Sequence, residues 1–283
     1  MTSPFVRLQH AVPQHALSRL AGRFAESGRP WLRDRLIERF ARTYGIDMSE
    51  AERPLGSYDS FNDFFTRSLK PGARPLADAT EHVLSPADGA ISQLGKIEKG
   101  RIFQAKGHEY TATELLGGDT DAAAKFEHGH FATIYLSPRD YHRVHMPVAG
   151  RLAQTTYVPG DLFSVNTETA AGVPRLFARN ERLACLFDTE LGSVASVMVG
   201  AMIVAGIETV WGGRVQPHGK ELIRAVHGEG GEGSQRYEAG DEMGRFLLGS
   251  TVVLLFEEGR VAFDEGLNAG SPVRMGQALA RRL

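Results

Sequence analysis

The stretch Leu248-Gly249-Ser250-Thr251 leads straight into the apolar run Val252-Val253-Leu254-Leu255-Phe256. A small residue, a hydroxyl and then five strand-forming residues place Ser250 where a loop enters a buried strand, its backbone held by that strand. A serine fixed in this way can be aimed as a nucleophile. Gly249 leaves the preceding carbonyl open to attack, because it has no side chain and takes up unusual dihedrals at little steric cost. Two other stretches carry groups that could serve such a serine. Asp88 stands in Ser85-Pro86-Ala87-Asp88-Gly89, on a turn before a strand. His142 and His145 stand in Ser137-Pro138-Arg139-Asp140-Tyr141-His142-Arg143-Val144-His145-Met146-Pro147, directly after the strand-like run Phe131 to Leu136. Loops at strand ends are where a rigid scaffold presents reactive side chains, and imidazole titrates nearest neutrality, so it can take and return a proton.

Plainer readings exist for each. Gly-Ser at a strand entrance is commonly a turn, and Asp before Gly is a common turn former. His128, His130, His142 and His145 raise the question of a metal, because His142 and His145 are spaced as His-x-x-His. Pro138 and Pro147 bracket that segment too closely for a long helix, and no cysteine cluster or His-Glu-x-x-His helix completes a site. No metal is expected.

The elements that must position these groups are mostly strands. Val83-Leu84, Ala90 to Ser92, Arg101 to Phe103, Phe131 to Leu136, Gly150 to Gln154, Val194 to Val204, Thr251 to Phe256 and Arg260 to Phe263 are short, β-prone and separated by Gly and Pro turns. With only brief helical candidates at 113–116 and 122–126, they predict a largely antiparallel core. His227 to Asp241 is polar and glycine-rich and is expected to be a mobile loop just upstream of Ser250. Ser60 to Phe65 opens with an N-cap and an acid at the third helical position, predicting a short helix that clamps the N-terminal region to the core. The expected fold is α+β: a helical N-terminal region over 1–70 and a β-rich catalytic domain over 71–283.

Residues 1 to about 46 read as helical and basic. Leu17, Leu20, Ala21 and Phe24 form one apolar stripe; Trp31, Leu32, Leu36, Ile37, Phe40 and Tyr44 form a second after Pro30. Arg7, Arg19, Arg23, Arg29, Arg33, Arg35, Arg39 and Arg42 face only Glu26, Asp34 and Glu38. Such an arm suits a helical hairpin packed on the main domain or an interfacial anchor on an anionic membrane, and both can hold together.

At 283 residues the chain can bury a real core, and 42% apolar with 23% charged residues excludes disorder. A net charge of -2 gives no reason to expect nucleic acid as a partner. Cys185 is the only cysteine, so no intrachain disulfide forms; a reducing compartment and a buried, inert thiol are expected. The start Met1 to Arg7 lacks the apolar run of a secretory signal. Leu191 to Ile207 is uncharged and near the short limit for a membrane span, but its glycines, serines and close acidic flanks fit two buried strands better.

Ser85-Pro86-Ala87-Asp88-Gly89, the segment from Tyr135 to Pro147, Tyr157-Val158-Pro159-Gly160-Asp161-Leu162-Phe163-Ser164-Val165-Asn166, Leu176-Phe177-Ala178-Arg179-Asn180-Glu181-Arg182 and Gly244-Arg245-Phe246-Leu247-Leu248-Gly249-Ser250-Thr251 occur in this order. Together they resemble the phosphatidylserine decarboxylases, pyruvoyl-dependent enzymes that make phosphatidylethanolamine. The likeness runs from the N-terminal arm to Arg274-Met275-Gly276-Gln277 and departs at the glycine-rich stretch 228–240, which puts only a loop length in doubt.

The resemblance implies that Ser250 is the site of self-cleavage, with the scissile bond between Gly249 and Ser250. Residues 1–249 then form the larger chain and 250–283 the smaller. Asp88 would orient and charge-stabilise His145, which would take the Ser250 proton; His142 would handle substrate and donate a proton. Ser250 would become a pyruvoyl group, forming a Schiff base with phosphatidylserine in place of pyridoxal phosphate, for which no lysine site is recognisable. A peripheral place on the cytoplasmic side of the cell membrane and a homodimer are likewise implied. The residues alone leave alternatives open: a Ser-His-Asp hydrolase acting on an external lipid ester, a pyruvoyl decarboxylase for a soluble amino acid, or a non-catalytic membrane-binding β domain.

Overall fold

The apolar run after Ser250 forms the middle of the largest sheet. In a computed structural model of the chain, which describes residues 3–202, 206–215, 220–228, 235–247 and 250–283, the strand Ser250–Phe256 is buried at every position. It pairs antiparallel with His130–Leu136 on one edge and with Gly192–Val199 on the other. Successive side chains of a strand point to opposite faces, and here both faces are covered. Val252, Leu254 and Phe256 join one apolar core, while Val253 and Leu255 join a second on the other side. A strand buried on both faces reads as a continuous apolar run rather than an alternating one.

Outward from this centre the nine-stranded sheet continues antiparallel through Arg182–Thr189, Gly150–Val158 and Ile223–Val226 on one side. On the other it runs through Gly89–Lys96 and Pro272–Val273. A four-stranded sheet joins Arg143–His145 to Glu242–Phe246 and Ile207–Thr209, with Gly213–Arg214 at its edge. A three-stranded sheet inserts Ala278–Arg282 between His82–Leu84 and Val261–Phe263. The chain after Ser250 therefore supplies strands to two sheets.

The N-terminal helices are α1 (Pro4–Ala11), α2 (Gln14–Ala25), α3 (Pro30–Tyr44) and α4 (Phe61–Phe65). Ser60 caps α4, its Oγ accepting from the amide of Asp63 at 3.1 Å. Ile37 of α3 packs with Tyr58, Phe61, Phe64 and Phe65 in a third, aromatic core. Polar groups dock α1 and α2 on the main body. Gln9 donates to Thr169 Oγ1 at 3.1 Å and accepts from the Ser164 amide at 2.8 Å; Gln14 accepts from the Leu162 amide at 2.7 Å. Ser18, Gly22 and Ala25 are the buried residues of α2. Its apolar stripe consequently faces outward, with Leu20 and Phe24 each 51% exposed, beside Trp31 at 68%.

Several expectations are adjusted. The strand expected over 194–204 ends at Val199, and residues 203–205 lie outside the described ones. Arg182–Thr189, which is not among the strands expected, forms one, and Cys185 within it is fully buried, its thiol pushed up by desolvation. The stretch expected as a loop over 227–241 pairs Arg236–Tyr237 with Arg151 and Gly150; residues 229–234 lie outside the described ones. No described helix is long and apolar enough to cross a membrane.

Candidate active site

The segment 137–145 is fastened at both ends to the chain that leads into Ser250. Leu136 is the register partner of Ser250, and the amide of Phe246 donates to the carbonyl of His142 at 3.0 Å. Between these ties Asp140 closes a turn: its Oδ2 accepts from both the amide and the hydroxyl of Ser137, each at 2.7 Å. The turn drives His142 inward. Its ring is fully buried, and Phe65 of α4 lies against it with ring centroids 4.0 Å apart.

Both histidines have defined tautomers. His142 Nδ1 lies 2.8 Å from the carbonyl of Asp140, and a carbonyl can only accept, so Nδ1 carries the proton. Nε2 is left with a lone pair and no partner among the described residues. Desolvation, with the nearby Arg67 charge, pushes this imidazole down to about 3, so it is neutral at physiological pH. His145 donates from Nδ1 to the Gly240 carbonyl at 2.8 Å and accepts at Nε2 from the Tyr141 hydroxyl at 3.1 Å. Burial also holds His145 below its usual range, while desolvation pushes Tyr141 up to about 12 and keeps it a donor.

Asp88 sits beside this histidine through the backbone, because the amide of His145 donates to the carbonyl of Pro86 at 2.8 Å. Gly89 lets this turn run close along the strand His130–Leu136: a Cβ there would lie 2.3 Å from the carbonyl oxygen of Tyr135. The carboxylate itself accepts from Arg74 and, at 2.9 Å, from the amide of Met275. The His145 ring is hydrogen-bonded to Gly240 and Tyr141 rather than to Asp88, whose charge acts on it at longer range. Ser250 is fully buried and its Oγ has no hydrogen-bond partner among the described residues. Gly249 lies outside the described residues.

The fold also brings in residues that reading the sequence did not single out. Arg74 holds both Asp88 and Glu50. Arg143 donates from Nε to the carbonyl of Thr66 at 2.9 Å and pairs with Glu242 at 2.7 Å. Phe61 stacks on Phe65 with centroids 5.9 Å apart, and it also lines an apolar groove of about 420 Å³ between α2, α3 and α4. A line of rings thus runs from the groove, beside the exposed stripe of α2, to His142. Among the described residues no three His, Cys, Asp or Glu side chains converge as metal ligands.

Comparison with known proteins fits this arrangement. The family model described as phosphatidylserine decarboxylase matches residues 61–281, and one described as PSD matches residues 4–45. The phosphatidylserine decarboxylase proenzyme of Pseudomonas aeruginosa is 60% identical over 277 residues, covering 98% of this chain and 96% of that protein. Those of Ectopseudomonas mendocina and Azotobacter vinelandii are 58% and 56% identical, over 97% and 98% of this chain. The chain belongs to the phosphatidylserine decarboxylase family. It is an α+β member of that family, with mostly antiparallel sheets and N-terminal helices. These relatives are named as proenzymes.

Proposed function

We propose that this chain is a self-cleaving, pyruvoyl-dependent decarboxylase of phosphatidylserine, releasing carbon dioxide and phosphatidylethanolamine. The observation that carries the reading is Ser250: a fully buried hydroxyl without a partner among the described residues, at the first position of a strand paired on both edges. Attack of Oγ on the Gly249 carbonyl converts the amide to an ester; loss of the Ser250 α-proton then expels the Gly249 carboxylate. The dehydroalanine left behind becomes an imine and hydrolyses, releasing ammonia and leaving a keto group at position 250.

The position suits that group. The ladder from Thr251 onward keeps residue 250 in place when the bond before it is broken. A ketone there supplies the electron sink that decarboxylation of an amino acid requires. The chain's own residues do the rest. His145, neutral and protonated on Nδ1, takes the hydroxyl proton at Nε2 once Tyr141 gives way, and the charge of Asp88 favours the imidazolium that results. His142, with its Nε2 neutral and unpartnered, handles the substrate by accepting a hydrogen bond from its amine, and relays the proton that the α-carbon takes up after carbon dioxide leaves. Phe65 excludes water from that side.

Residues 1–70 form the membrane-associating region and 71–283 the catalytic one, with the enzyme peripheral on the cytoplasmic side. The outward apolar stripe of α2 supports this, as do Arg19, Arg23, Arg35, Arg39 and Arg42, all exposed and without an acidic partner among the described residues. Basic residues near an anionic surface contribute about 1 kcal/mol each, and the substrate is itself anionic. The groove beside the stripe gives an acyl chain an apolar path toward His142.

An intact-mass measurement on purified protein tests the reading. Two pieces are expected, the smaller beginning at residue 250 with a blocked N-terminus. A single unbroken, active chain would overturn it and favour a hydrolase.

A further inference from the structure

The turn after α4 buries a cation that has no part in the steps from Ser250 to product. Arg67 is 4% exposed. Its Nη2 lies 3.3 Å from the carbonyl of Arg139 and 3.5 Å from that of Asp140, while Nε and Nη1 have no partner among the described residues. Nor does a carboxylate there pair with it, since the nearby Asp88 is bonded to Arg74. Desolvation lowers the Arg67 pKa, yet guanidinium remains charged throughout the physiological range. Its guanidinium also lies over the Phe64 ring, 5.6 Å from the centroid. A buried charge held by two carbonyl oxygens and a ring face is costly, and a guanidinium with unspent N–H donors is suited to an oxyanion.

Other buried polar groups nearby in the chain share this condition. Asn62, on the short helix that precedes Arg67, is buried with both amide atoms unpartnered among the described residues. The Asp140 carbonyl touched by Arg67 is the same one that fixes the His142 ring, whose Nε2 is also unspent. Reciprocal bonds hold the two elements together: Arg67 reaches the carbonyls of 139 and 140, and Arg143 reaches the carbonyl of Thr66.

We propose that Arg67 receives the phosphodiester of the lipid headgroup. This rests on the reading of the chain as a phosphatidylserine decarboxylase. The substrate carries two anions, and they differ in fate. A guanidinium on the carboxylate would stabilise the charge that the reaction removes, and so would oppose it. The phosphodiester keeps its charge from substrate to product, so holding it positions the headgroup without opposing the chemistry.

Reductive capture of amines on the processed enzyme tests the assignment. With cyanoborohydride, an amine joined to the keto group appears as a mass gain on the small piece. The probes are dihexanoylphosphatidylethanolamine, with phosphodiester but no carboxylate; serine, with carboxylate but no phosphate; and octylamine, with neither. Arg67→Gln is expected to lower capture of the phospholipid about tenfold or more, as for loss of a charged hydrogen bond, and to leave the other two unchanged. Arg67→Lys should keep part of the phospholipid capture. An equal fall for all three amines would make Arg67 a scaffold residue and overturn the proposal, as would a fall confined to serine or no fall at all. In the unaltered enzyme, glycerol phosphate should slow capture of the phospholipid and not of octylamine; failure to do so also overturns it. If no amine is captured by the unaltered protein, the keto group is absent, and the functional reading itself fails.

Discussion

Asp88 and Arg74 form a buried ion pair. Arg74 Nε lies 2.9 and 3.1 Å from the two carboxylate oxygens and Nη2 lies 2.5 Å from Oδ2, with the side chains 10% and 7% exposed. Breaking a buried pair by removing one partner leaves the other uncompensated, at a cost of about 3–5 kcal/mol. Asp88→Asn should fall at the low end, because Glu50 still pairs with Arg74. Arg74→Gln should cost more. Urea unfolding of the two variants and the double variant should show a coupling of about 1 kcal/mol or more, and intact mass should show slowed cleavage in each.

Neutral, buried histidines set the acid response. The folded pKa of His142 is depressed from 6.5 to about 3, and that of His145 is also lowered, so the unfolded chain binds more protons below about pH 6.5. Their contribution is therefore complete above that pH and declines as pH falls below it, for His142 from 6.5 toward 3, by up to about 1.4 kcal/mol per pH unit for each group. In His142→Gln the slope of unfolding free energy against pH between 6.5 and 4 should drop by up to one proton; an unchanged slope would show that His142 is protonated in the fold.

Gly240 presents its carbonyl to His145 from a backbone conformation with φ of +89°, and a Cβ there would lie 2.6 Å from Leu76. Gly240→Ala should cost about 1–3 kcal/mol, shift the carbonyl and slow cleavage. Thermal denaturation and a time course of intact mass check both effects.

Ser250→Ala removes a hydroxyl that has no partner to lose among the described residues. The variant should remain one unbroken chain and differ from the uncleaved His145→Asn chain in stability by no more than its missing His145 contacts, about 1–3 kcal/mol.

Leu20 and Phe24 lie at the surface, so Leu20→Ser with Phe24→Ser should change folding stability by less than about 0.5 kcal/mol per site. Partition onto anionic vesicles should weaken about tenfold or more, measured by co-sedimentation, and added salt should weaken it further.

The features legible in the sequence are local ones. The run Val252 to Phe256, the turn around Asp88 and the loop holding His142 and His145 announce themselves within a few residues. Partners that meet over long separations do not: Gly240 is 95 positions from His145, and Met275 is 187 from Asp88. Arg74 and Arg67 read as ordinary basic residues within and before a proline-glycine loop, because nothing nearby reveals their burial. The stripe of α2 is visible in the sequence, but periodicity gives a face without saying which way it turns. Gln9 and Gln14, which decide that, resemble surface glutamines until their partners on 162–169 are known.

The strand Ser250–Phe256 is hydrogen-bonded along both edges, and Pro272–Val273 and Ala278–Arg282 are laced into two sheets behind it. Severing the chain ahead of residue 250 therefore frees an end without freeing a subunit. The fragments should travel together through every native purification step and melt in a single transition, and neither should refold when supplied alone.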